Sequence, residues 1–242
     1  LKYFGSKDTE FYGLGLFNDI YTPQATLFNM PLQCSFDLPL NGRLYIWRIT
    51  ETEQQLRELL ANSRSEAPGA IHPKRVLESL AASALLKEIG FTAQIIYLPN
   101  GKPVSDDSRY VSFSHCGELV GFAVSDYPVG MDIQDENEKL LKIAPRFCSQ
   151  DELSWIVSCK NPLTCSTIIW SAKEAAFKVY GENLTFSRDI AVYSFNLDNE
   201  KPLKLECQIQ GQWHLLQTSM HRESGYWIVT ATLEGHNSGG RQ

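Results

Sequence analysis

The stretch "IIWSAKEAAFK" at 168–178 constrains this chain most. It reads as the middle of a helix, "TCSTIIWSAKEAAFKVYG", stopped by Gly181,. Lys173, Glu174 and Lys178 interrupt an otherwise apolar run of Ile168, Ile169, Trp170, Ala175, Ala176 and Phe177. Glu174 and Lys178 are four apart and share a face, so an ordinary ion pair on an amphipathic surface is one reading,. Upstream, "VGMDIQ" at 129–134 reads as a short strand in which Asp132 and Gln134 point the same way,. A strand that sends an aspartate inward needs a partner for it.

Around these segments, helices alternate with antiparallel strands. "RLYIWRI" is a strand, and the helix after it is capped by Thr50 or Thr52, with Thr50 and Glu53 spaced as a capping box,. Leu56, Leu59 and Leu60 give that helix its apolar face. "SEAPGAIHP" is a loop, and a longer helix over about 73–89 ends at Gly90,. "AQIIYL" is a strand, and "YVSFSH" and "LVGFAVS" form a hairpin turned at "CGE",. Polar "DENEKL" leads to "RFCSQDE", then to a helix "DELSWIVS" that breaks at Asn161-Pro162. The tail is β: "IAVYSF", "LKLECQI", "QWHLLQTS" and "YWIVTATL", before a frayed "EGHNSGGRQ",. This pattern predicts an α+β fold, with "SDYPVG" at 125–130 as the boundary between halves,.

With 242 residues, 43% hydrophobic and 21% charged, the chain can build real cores and is not a disordered composition,. A net charge of −6 argues against a general nucleic-acid binder,. Six cysteines without a CxxC lack zinc spacing and read as reduced, small apolar residues of a cytoplasmic protein,. No apolar run reaches the roughly 18 residues of a membrane span. The N-terminus has no secretory signature,.

Taken together, "NGKP" (100–103), "SFSHCG" (112–117), "VGMDIQ" (129–134), "RFCSQDE" (146–152) and "WSAKEAAFK" (170–178) resemble the 4′-phosphopantetheinyl transferases, specifically their larger pseudo-dimeric type. Each motif is weak alone; five in order and spacing over about 100 to 181 are specific. The resemblance implies two similar α/β halves related by a pseudo-twofold, each a long helix packed on a small antiparallel sheet. It implies an N-terminal extension at 1–29, an N-terminal half at 30–127 and a C-terminal half with the metal site at 128–242.

The reaction it implies moves the 4′-phosphopantetheine arm of coenzyme A to a serine of an apo acyl or peptidyl carrier protein and releases adenosine 3′,5′-bisphosphate. Such carriers serve fatty acid, polyketide or nonribosomal peptide synthesis. Breaking a pyrophosphate requires charge neutralisation, which Mg²⁺ on oxygen ligands supplies. By resemblance Asp132, Gln134 and Glu174 hold that Mg²⁺. Glu152 is a further metal ligand or the base for the carrier serine, and Lys178 neutralises or protonates the departing phosphate. Ser114 and His115 contact phosphates of coenzyme A, Lys173 sits beside them, and Arg75, Lys102 and Pro103 hold the nucleotide end. The protein is expected to act as a monomer, without nucleic acid or membrane.

Three departures matter. Gln134 stands where most bacterial members carry glutamate, so metal binding should be weaker or the metal preference shifted. Ser83 stands where many carry an arginine that binds the nucleotide end, and Cys116 replaces a small serine. They keep open a second reading, a weakened relative that binds coenzyme A or a carrier without efficient transfer. A third, a Mg²⁺-dependent phosphohydrolase, would cleave nucleotide without any carrier. Coenzyme A is polyanionic, so basic residues must outweigh the global charge near the cleft.

Overall fold

The computed structural model describes residues 32–61, 73–181, 184–197 and 202–234. The expectations for residues 1–29, the "SEAPGAIHP" loop before Pro73 and the tail after Glu234 lie outside the described residues. Two antiparallel sheets organise the rest. The first runs β1 (Leu32–Leu38), β2 (Gly42–Arg48), β6 (Leu119–Ser125), β5 (Tyr110–Cys116). The second runs β7 (Val129–Asp135), β11 (Tyr226–Thr232), β10 (Gln212–Glu223), β9 (Leu205–Ile209), β8 (Ile190–Val192). A small hairpin of β3 (Ile95–Tyr97) and β4 (Pro103–Ser105) stands apart. The helices are α1 (Glu53–Leu60), α2 (Pro73–Glu88), α3 (Glu138–Phe147), α4 (Gln150–Ser158), α5 (Pro162–Tyr180) and the short α6 (Phe186–Asp189). The fold class is α+β, as the alternation of elements predicts.

Strand periodicity sorts the side chains into three cores. Val120, Phe122 and Val124 of β6 pack with Leu80, Ala81, Ala84 and Leu85 of α2. Their neighbours Leu119 and Ala123 face the other way, joining Leu44 and Ile46 against Val129, Met131 and Ile133 of β7. The sheets therefore meet back to back. The third core lies beyond the second sheet, where Ile168, Ala172, Ala175, Ala176 and Val179 of α5 pack on Trp227, Val229 and Ala231 of β11. Burying each large side chain of these cores contributes about 1.5–3 kcal/mol. Because the odd-numbered residues of β7 fill the inter-sheet core, Asp132 must face α5.

Three local expectations are corrected. Of the two expected caps of α1, Thr52 serves; its backbone is extended, and the capping box is Thr52 with Gln55 in place of Thr50 with Glu53. Glu53 instead opens the helix and pairs with Arg57 at 2.8 Å. The polar lead-in "DENEKL" runs into a true helix, α3, started by the Asn137 side chain on the Lys139 amide and obscured in sequence by Pro145. In the tail, β8 is only three residues and β10 extends to twelve.

Candidate active site

Gly130 lets α5 come down onto β7. A Cβ at that position would collide with the carbonyl oxygen of Ala175. The approach brings the α5 stripe of Ser171, Glu174 and Lys178, spaced three and four apart, over Asp132,. Asp132 is 7% exposed, and both of its oxygens are taken. Oδ1 accepts from Ser114 Oγ at 3.0 Å and Lys178 Nζ at 3.2 Å, and Oδ2 accepts from Ser171 Oγ at 2.8 Å. Lys178 Nζ also donates to the Met131 carbonyl at 2.8 Å and lies 3.3 Å from Ser114 Oγ.

The serines of β5 do more than meet Asp132. Ser114 Oγ accepts the Ile133 amide at 3.1 Å, and Ser112 Oγ accepts the Met131 amide at 3.1 Å. These hydroxyls stitch the edge of the first sheet to the edge of the second. Ser114, expected at a coenzyme phosphate, thus spends its proton on Asp132 and is itself buried.

Glu174 is half-buried beside this cluster. Burial pushes its carboxyl up, the Asp132 charge pushes the same way, and Lys178 partly offsets both,. Two carboxylates therefore feel one another across a single lysine. Gln134, half-buried on the same strand face as Asp132, donates its side-chain amide to Asp135 at 3.0 Å. Among the described residues no three His, Cys, Asp or Glu side chains gather as a metal cluster. Two carboxylates and an amide oxygen still fit Mg²⁺, which is bound through one or two carboxylates and completes its shell with water and substrate phosphate.

Glu152 and Lys173 form a separate cluster. Lys173 is fully buried, its Nζ 2.9 Å from Glu152 Oε2 and donating to the carbonyls of Phe186 and Ile190. Burial pulls this ammonium down, and Glu152 opposes that. Glu152 is 4% exposed; it accepts the Ser149 amide at 2.7 Å, completing the α4 capping box, and the Val192 amide at 2.8 Å. The pair ties α4, α5, α6 and β8 together.

The expected coenzyme residues are spread around the rim. Lys102 Nζ donates to the Val179 carbonyl at 2.8 Å, reaching the last turn of α5, and burial lowers its pKa. Pro103 opens β4. His115 is exposed at the end of β5, with Nε2 2.9 Å from Glu78 of α2. Arg75 is exposed in the first turn of α2, and Ser83 donates to the Ser79 carbonyl on the same helix. Sequence reasoning missed Ser171, Ser112 and Glu78. Ser171 was findable, because it lies three residues before Glu174 on the charged stripe,.

An α+β fold whose first strand of the second sheet offers a buried aspartate to a lysine and a glutamate on one helix defines a site for handling charged groups. Residues 128–231 match the model of the 4′-phosphopantetheinyl transferase superfamily, so the likeness read from the motifs is borne out over that stretch. The chain is similar to the 4′-phosphopantetheinyl transferase gsp of Aneurinibacillus migulanus, 28% identical over 54% of this chain and 58% of that one. It is also similar to the 4′-phosphopantetheinyl transferase psf-1 of Bacillus pumilus, 34% identical over 44% of this chain and 47% of that one. The matched part spans about half the length of these curated relatives. Among solved structures, the holo-[acyl-carrier-protein] synthase of Thermotoga maritima matches 46% of this chain and 64% of its own, at 18% identity and a TM-score of 0.38.

Proposed function

We propose that this protein transfers the 4′-phosphopantetheine arm of coenzyme A to the serine of an apo carrier protein. The observation that carries the reading is the convergence of Asp132, Glu174 and Lys178, from one strand and one helix, in a family-matched segment. In this reading the serine hydroxyl gives its proton to water, its oxygen forms a bond to the phosphorus of the arm, and the pyrophosphate P–O bond breaks so that the oxygen leaves with adenosine 3′,5′-bisphosphate.

Asp132 and Glu174 would hold Mg²⁺, with Gln134 a neutral third ligand. That ion would supply charge neutralisation at the pyrophosphate. Lys178 would set its positive charge against the developing negative charge of the leaving group. Ser114 and Ser171 act on Asp132, not on the substrate. Glu152 and Lys173 brace the helices that carry the site; we place neither at the reacting atoms. Lys102, Pro103 and Arg75 remain the residues for the nucleotide end, and His115 remains the residue for the coenzyme A phosphates. The boundary near 127 and the pseudo-twofold belong to the same reading, supported by a long helix on each sheet.

The test is release of adenosine 3′,5′-bisphosphate from coenzyme A with Mg²⁺. Release that requires an apo carrier and disappears in Asp132→Ala and Glu174→Ala supports transfer. Release without any carrier would mean a phosphohydrolase. Gln134, whose amide turns to Asp135, favours slow turnover that Gln134→Glu should hold or raise.

A further inference from the structure

We propose that the Lys178 ammonium is a displaceable internal cation: it competes with the divalent metal for Asp132, and metal loading frees it to meet the substrate. This inference rests on the metal reading of Asp132 and Glu174.

Asp132 is nearly closed to solvent, and three donors already serve its two oxygens. A metal that takes this carboxylate must compete with at least one of them. The three donors differ in how easily they can leave. Ser171 is fully buried on α5, and its contact to Oδ2 is the shortest at 2.8 Å. Ser114 is 7% exposed and is also fixed by the Ile133 amide. Lys178 has 29% of its side chain exposed, makes the longest contact at 3.2 Å, and carries a charge of the same sign as the metal. Two like charges on one carboxylate oxygen in a poorly solvated site repel strongly. The flexible four-carbon stem allows the ammonium to swing toward solvent, which a serine cannot do.

The surroundings show that the position is built for a cation. Nζ lies within 3.3 Å of three oxygens, those of Met131, Asp132 and Ser114. The lysine thus neutralises Asp132 and eases the repulsion on Glu174. When a divalent ion takes over that duty, the lysine loses its charged anchor, keeps only the neutral Met131 carbonyl and Ser114 hydroxyl, and becomes available to an incoming phosphate. Metal binding and arming of Lys178 are then one event.

The experiment measures Mn²⁺ affinity of the full chain without coenzyme A, by loss of the free-ion spin-resonance signal. Lys178→Met should bind Mn²⁺ at least tenfold tighter than the unaltered chain, and Asp132→Asn should abolish binding in both backgrounds. On the unaltered chain, labelling of Lys178 by a small amine reagent, read by peptide mass spectrometry, should accelerate when Mn²⁺ is added. Equal or weaker binding by a folded Lys178→Met, or Mn²⁺-independent labelling, overturns the competition, as does absence of Mn²⁺ binding in both chains. The transfer assay is separate: transfer with unchanged Mn²⁺ affinity refutes only this inference, and tightened affinity without transfer refutes only the proposed reaction.

Discussion

Asp132 and Glu152 are both buried carboxylates on paired lysines, yet their surroundings give them different work. Asp132 faces a helix stripe that carries a second carboxylate. Glu152 spends its oxygens on a capping amide, a strand amide and Lys173. Breaking a buried pair of this kind costs about 3–5 kcal/mol. Glu152→Ala should therefore lower the melting temperature strongly, with activity lost in step with the folded fraction. A variant that melts normally but no longer transfers would return Glu152 to the chemistry. Ser171→Ala removes a hydrogen bond to a charged group, worth about 1.5–3 kcal/mol. It should cut turnover about tenfold or more, with Ser171→Thr restoring most of it; equal loss in both variants would contradict a positioning role. At this scale the sequence pointed to residues that the fold brings together, since Asp132, Glu174 and Lys178 stand out as charges in apolar runs. It could not show that Lys173, one residue from Glu174, turns away from Asp132 into a wholly buried pair with Glu152. That depends on which face of the helix meets which sheet.

Elements bring the site together through close approaches. Gly130 is the contact point of β7 and α5, and a methyl there strikes backbone, which cannot move aside. Gly130→Ala should cost about 1–3 kcal/mol or more and should loosen the Asp132–Lys178 geometry; unaltered melting and turnover would show that the elements sit further apart. The face of β10 turned toward the first sheet is covered in part by β1, where His221 stacks on Phe36 with ring centroids 3.9 Å apart. His221 Nε2 is buried without a hydrogen-bond partner among the described residues, and burial holds its pKa below the ordinary 6.5. As pH falls through 6.5, the unfolded chain takes up a proton that the folded chain resists, so stability present above that pH is lost below it,. His221→Phe should flatten the decline in melting temperature between about pH 7 and 5. An unchanged decline would assign the acid sensitivity elsewhere. Strands and helices were legible from period and caps. The length of β8, the helix behind "DENEKL" and the β1–β10 contact were not, because they depend on partners distant in sequence.

For the whole molecule, two sheets back to back with a helix outside each place the site at the seam between β5, β7 and α5. That seam joins motifs scattered over roughly seventy residues: "SFSH" supplies the hydroxyls, "VGMDIQ" the aspartate and "WSAKEAAFK" the helix stripe. Their order along the chain was readable, while the hydrogen bonds joining them required the folded arrangement. The most direct test of the account is the intact mass of an apo acyl carrier protein after incubation with this protein, coenzyme A and Mg²⁺. The account predicts a gain of about 340 Da, the mass of the phosphopantetheine arm delivered by phosphoryl transfer, and no gain with Asp132→Ala. An unchanged carrier mass across several apo carriers, with the protein folded and coenzyme A bound, would contradict it.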